Sequence, residues 1–240
     1  MPSLNDLKIS ENLRLLQYGE SGTGKTVFAT GFPTPIHVLD FDNKISSAAA
    51  YWREKDPARL NDITYETYGP TDERGTQAER CSNDLGKMRK EGKFPRTLVL
   101  DSLTTFSDEF MRYLMRINPG IKRMDTKGAA TPAMQDYQVA KLYFKQFIGQ
   151  LLTLPCNVVV LAHIQMDKDE ITGEILRTPM IAGKLSRELP IWFEEVHRSY
   201  VKDGKYMSQT KSDSRYQCRT QIPRLPAEIE LRYEELVKQR

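Results

Sequence analysis

The 240-residue sequence predicts an α/β fold, a mainly parallel sheet flanked by helices and ending in a β-hairpin. Three observations carry that prediction. Short apolar runs, LRLLQY, PIHVLDF, RTLVLDS and NVVVLAH, recur with helix-patterned segments between them, and near-continuous apolar strands are those covered on both faces. The first run leads directly into GESGTGKT, a phosphate-binding loop. After Glu195 the pattern alternates and turns at Asp203-Gly204, the mark of a hairpin.

Taken in order, the opening MPSLNDLKISENLR lacks the apolar stretch of a secretory leader. The LRLLQY strand then delivers Gly19, Glu20, Ser21, Gly22, Thr23, Gly24, Lys25 and Thr26, a full match to G-x-x-x-x-G-K-[ST]. Each residue type has a reason. The glycines let backbone N–H groups wrap phosphates, the following helix presents its positive end, Lys25 reaches the β and γ oxygens, and Thr26 can ligate Mg²⁺. A dinucleotide fingerprint is excluded, because Val27 stands where a third small residue belongs. The ligand this loop implies is ATP with Mg²⁺.

The next strand, PIHVLDF, ends with Asp40 and Asp42 on one side of the chain at i, i+2 spacing, and a helix is expected around 43–51. The two aspartates either serve the phosphate site or cap that helix. RTLVLDS ends in Asp101, placed to hold Mg²⁺ through water opposite Thr26. The residue after it is Ser102, so a water-activating acid does not follow directly, as it does in many ring ATPases of the AAA+ and helicase kinds. Tyr137, Ala140, Phe144, Phe147, Ile148 and Leu151 recur three or four apart and predict a long amphipathic helix over 133–154. NVVVLAH is the fourth of the apolar runs and ends in His163. A hairpin with a third strand is expected over 195–222, and a short helix in PAEIELRYEELVKQR. The whole reads as one domain, 1–240.

The formal net charge of +3 neither demands nor excludes a polyanionic partner. Cys81, Cys156 and Cys218 are too scattered for a disulfide framework or a zinc site, which fits a reducing cytoplasm. NVVVLA is too short to cross a bilayer, so no membrane association is expected.

The loop Gly19–Thr26, the Asp101-Ser102 pair and the strand-end Asp42 together resemble the RecA-like P-loop ATPases. In that family the strand after the P-loop helix ends in Asp-x-Glu, whose glutamate orients the attacking water, and the magnesium aspartate is followed by a serine. The resemblance puts Asp42 in the water-orienting role, one methylene shorter than the commoner residue. It makes His163, or less readily Gln165, the sensor of the γ-phosphate at the end of NVVVLAH.

The resemblance further implies two loops that bind single-stranded DNA. The first falls at about 118–132, where Arg112 and Arg116 on the preceding helix join Lys122, Arg123 and Lys127. The second falls at about 165–188 and contains Lys184. In the hairpin region, Arg198, Lys202, Lys205, Lys211, Arg215, Arg219 and Arg224 interleave with Tyr200, Tyr206 and Tyr216. These either bind a strand or reach a neighbouring subunit's nucleotide; Lys211 and Arg215 are the expected trans-acting cations. The core-only phage proteins of this class, the Sak type, are the nearest in pattern through TPMIAGKLSRELPIWFEEV and YMSQTKSDSRYQCR. They imply a homo-oligomeric ring or filament, strand annealing, and cooperation with a single-strand-binding protein. Two other readings stay open, a nucleotide-switched helicase-loading or KaiC-like module and a P-loop small-molecule kinase.

Overall fold

A computed structural model describes residues 11–69, 74–117, 123–124, 130–131, 134–168, 173, 175–181 and 185–238. In chain order these form β1 (Arg14–Gly19), α1 (Lys25–Ala29), β2 (Ile36–Asp40), α2 (Ser46–Lys55), β3 (Ile63–Thr67), α3 (Thr76–Glu91), β4 (Thr97–Asp101) and α4 (Leu103–Ile117). There follow β5 (Arg123–Met124), β6 (Ala130–Thr131), α5 (Met134–Leu152), β7 (Asn157–Ala162), β8 (Ile164–Lys168), β9 (Ile175–Pro179), α6 (Leu185–Glu188), β10 (Glu195–Lys202), β11 (Lys205–Gln209), β12 (Glu228–Glu230) and α7 (Tyr233–Val237).

The main sheet has eight strands in the order β12-β11-β10-β1-β7-β4-β2-β3. Every pairing from β10 to β3 is parallel, and β11 and β12 add antiparallel at one edge. The apolar runs are continuous because each face buries its own alternate residues. Leu16, Tyr18, Leu39, Leu98, Leu100, Val158 and Val160 pack with Phe106, Phe110, Phe144 and Ile148 on one side. Leu13, Leu15, Ile36, Val38, Val99, Val159 and Leu161 pack with Phe28, Phe32, Ile229 and Leu236 on the other. Register then aligns the carboxyl ends: Tyr18 sits beside Ala162, and Asp40 beside Asp101. Ligand-binding residues of an open parallel sheet gather at that edge.

Several elements differ from the sequence expectation. The helix expected around 43–51 starts at Ser46, because Asn43 takes φ 55° and the Asp40 carboxylate accepts the N–H groups of Lys44 and Ile45, each at 3.2 Å. The long helix is trimmed to Met134–Leu152, and Arg14 fastens its carbonyl end to β1 by donating to Leu152 O at 2.5 Å and Leu154 O at 2.6 Å. No strand continues through 211–222: Asp213 Oδ1 accepts from the N–H groups of Arg215 and Tyr216, turning the chain, and only single bridges join Tyr216 to Arg177 and Arg219 to Val196. The third hairpin strand is instead β12, which takes the first part of the segment expected to form a short helix, and that helix is α7. Both loops expected to meet DNA contain two-stranded ribbons, β5–β6 and β8–β9. Among the described residues, no helix is long and apolar enough to cross a membrane.

Candidate functional site

Gly22 and Gly24 take φ 77° and 80°, the left-handed region where a side chain is strained, and Gly24 caps α1. That turn bends the loop over the end of β1 and buries Lys25, whose Nζ donates to Gly19 O at 3.0 Å and Glu20 O at 2.7 Å. Burial lowers the Lys25 pKa against the pull of Asp101 and Asp42. Thr23 Oγ1 donates to Glu20 O at 2.8 Å and touches Ser199 Oγ at 2.9 Å, so β10 braces the loop from beneath.

Thr26 Oγ1 donates to Asp101 Oδ2 at 2.6 Å. Burial raises the Asp101 carboxyl to about 6 in spite of that bond, and nearby Asp42 and Asp40 push the same way. The donor set fits a magnesium nucleotide: a buried carboxylate beside a hydroxyl, next to a loop whose ammonium, among the described residues, donates only to two carbonyls. Thr26 and Asp101 are the residues that would hold Mg²⁺, with Lys25 and the loop N–H groups on the phosphates. The ion, when bound, would neutralise phosphate charge as a bond to phosphorus breaks.

Asp42 and His163, from separate strand ends, meet in the same cleft. His163 Nε2 lies 2.9 Å from Asp42 Oδ2, Ser102 Oγ donates to Asp42 Oδ1 at 2.9 Å, and Thr105 Oγ1 donates to the same oxygen. Burial would raise the Asp42 carboxyl, but the bonds from His163, Thr105 and Ser102 outweigh it and hold the group at about 2. The two aspartates thus part company: Asp40 ties down the turn, and Asp42 faces the cleft. Gln165 points elsewhere, its Nε2 donating to Thr178 Oγ1 at 3.5 Å on the ribbon.

The cleft, about 700 Å³, has a wall that sequence reasoning missed. Gly204, Lys205 and Tyr206 of the hairpin turn, with Leu231 and Arg232 after β12, line it together with the chain's own phosphate loop, and Tyr51 lines it as well. Tyr206 packs so closely on Gly24 that a Cβ there would lie 3.1 Å from its ring. The half-exposed Tyr206 and Tyr51 offer a base two aromatic faces. No local signal announces this, because it depends on β10 pairing with β1 about 180 residues earlier.

The other expected site residues are scattered. Arg112 pairs with Glu109 at 2.9 Å, and Arg116 pairs with Glu79 while lying over the Tyr113 ring, so both cations are engaged within the chain. Arg177 and Arg198 both lie over the Tyr216 ring, at 5.4 and 3.6 Å from its centroid, so the ring is already engaged within the chain. Lys202 and Lys205 pair with Glu228 and Glu230. Lys211 and Arg215 are exposed, stand outside the cleft, and make no side-chain pair among the described residues. Lys122, Lys127 and Lys184 lie outside the described residues, and Arg123 is placed only as part of β5.

A parallel sheet with a glycine-rich loop and a strand-end aspartate at one edge defines a P-loop NTPase. More narrowly, the chain belongs to the AAA domain family AAA_24, whose profile matches residues 11–221. No curated protein matches the chain. Among solved structures, a prototypical ATPase from the type III secretion system of pathogenic bacteria overlays with a TM-score of 0.47 at 11% identity, over 79% of this chain and 52% of that one. The chain thus spans about half the length of that protein.

Proposed function

We propose that the protein is an ATP-hydrolysing, single-stranded-DNA-binding ATPase of the RecA-like class, acting in phage recombination by strand annealing as the Sak type does. The observation that supports hydrolysis is convergence: Lys25, Thr26, Asp101, Asp42 and His163, from four strand ends, line one cleft. The β8–β9 ribbon is tied to that cleft, since Thr104 Oγ1 donates to Met180 O at 2.8 Å and Met180 N–H donates to His163 O at 2.8 Å. This connection favours a strand-binding element that feels the nucleotide. The cations Lys122, Arg123, Lys127 and Lys184 fall, in sequence, within the two loops expected to meet DNA and would neutralise phosphates without reading sequence. In this reading the protein works as a homo-oligomer in a bacterial cytoplasm, beside a single-strand-binding protein.

The test measures ATP hydrolysis and oligonucleotide annealing with and without single-stranded DNA. Hydrolysis stimulated by DNA and lost in Lys25→Ala is expected. Replacing Lys122 and Arg123 should weaken DNA binding and reduce the slope of log K against log salt by about 2. An unchanged slope places the DNA elsewhere. The bonded state of Asp42 favours a second reading, a nucleotide-switched loading module with slow turnover; absence of annealing alongside ATP-dependent assembly would select it.

A further inference from the structure

Resting on the ATPase reading, we infer that His163 takes the proton from the attacking water, and that Asp42 is the positioning residue that orients it. Asp42 Oδ1 accepts from Ser102 and Thr105, while Oδ2 accepts from His163 and lies 3.9 Å from Lys44 Nζ. A carboxylate offers about four lone-pair positions, and three of those on Asp42 are taken by hydrogen bonds, both on Oδ1 and one on Oδ2.

Because a carboxylate only accepts, the 2.9 Å contact makes Nε2 the protonated nitrogen of His163. The lone pair is then on Nδ1, which makes no hydrogen bond to protein among the described residues. The imidazole is 26% exposed and lines the cleft with Lys25, Thr26 and Asp101. Its backbone is fixed on both sides: the N–H donates to Thr104 Oγ1 at 2.9 Å and the carbonyl accepts from Met180 at 2.8 Å. The charged groups sharing the cleft are Asp42 and Lys44 after β2, Lys25 on α1, Asp101 on β4, and Lys205, Glu230 and Arg232 on the far wall.

A water proton passes to Nδ1 as the water oxygen bonds to the γ-phosphorus. The bond from that phosphorus to its bridging oxygen breaks, and ADP leaves with the electron pair. The imidazolium then returns its proton to solvent.

Two measurements test this. With [¹⁵N]histidine labelling, the parent without nucleotide should show His163 as the Nε2–H tautomer at neutral pH, and Asp42→Asn should shift it toward Nδ1–H. In steady-state assays His163→Asn should lower kcat about 100-fold or more, with MgADP affinity, which also reports folding, within about threefold of the parent. Asp42→Asn should lower kcat less, about tenfold. An Nδ1–H tautomer in the parent, a kcat for His163→Asn within about threefold of the parent, or a larger loss in Asp42→Asn than in His163→Asn would each overturn the inference. If the parent hydrolyses no nucleoside triphosphate with Mg²⁺ and single-stranded DNA present, the ATPase reading fails and takes this inference with it. Hydrolysis by the parent with an unaffected His163→Asn leaves that reading intact and removes only the role of His163.

Discussion

Asp101 is 4% exposed, with Thr26 as its hydrogen-bond donor, and its carboxyl is raised from 3.8 to about 6. Below about pH 4 it is protonated in both folded and unfolded chains. Between about 4 and 6 the folded protein keeps a proton that the unfolded chain has lost, so stability declines as pH rises through that window. Above it the buried charge costs on the order of 3 kcal/mol. Asp101→Asn should therefore raise the urea midpoint of the nucleotide-free protein at pH 7.5 and flatten its dependence on pH between about 4 and 6. The same change should abolish the Mg²⁺-dependent part of nucleotide binding, read by titration with and without the ion. A lowered midpoint would mean that the Thr26–Asp101 bond outweighs the desolvation cost. This residue was legible in sequence because its role is written in a strand end and a distant P-loop. The bonding of Asp42 was not, since Ser102, Thr105 and His163 reach it from two other strand ends.

Among the elements, two glycines show how differently the same substitution acts. Gly19 ends β1 against β10, where a Cβ would lie 2.6 Å from Ser199 Oγ and closer still to the Ser199 carbonyl. Gly86, inside α3, has nothing within 4 Å of the same added atom. Gly86→Ala should stabilise the protein by about 0.5–1 kcal/mol through helix propensity and reduced unfolded-state entropy. Gly19→Ala should cost more than about 2 kcal/mol, because backbone rather than a flexible side chain must move. Urea denaturation of the two variants decides it, and equal midpoints would sink the account of the β1–β10 approach. β1, β2, β4 and β7 were readable because both their faces are buried and their residues nearly all apolar. β3 was missed, since its pattern at the sheet edge includes exposed Thr64, Tyr65 and Glu66. β12 was missed because three residues are too few for a period, and Ile229 alone turns inward.

For the whole molecule, the placement of the hairpin separates two groups of cations. Lys205 and Arg232 face the chain's own phosphate loop, whereas Lys211 and Arg215 project outside that cleft. If the latter pair serves nucleotide at all, the nucleotide must belong to a neighbouring copy, which is the trans-acting role that the RecA-like resemblance implies for them. Such an arrangement has a quantitative signature. Lys25→Ala keeps sound cations but a dead loop, and Lys211→Ala/Arg215→Ala keeps a sound loop but lacks the cations. Each alone should be inactive. Mixed in equal amounts and allowed to exchange subunits, they place a sound loop against sound cations at about one interface in four, and about a quarter of the parent's hydrolysis should return. Recovery must also rise with total protein concentration, because the complete site forms only on assembly. A mixture as inactive as its components, from proteins that demonstrably exchange subunits, would show that Lys211 and Arg215 complete no neighbour's site.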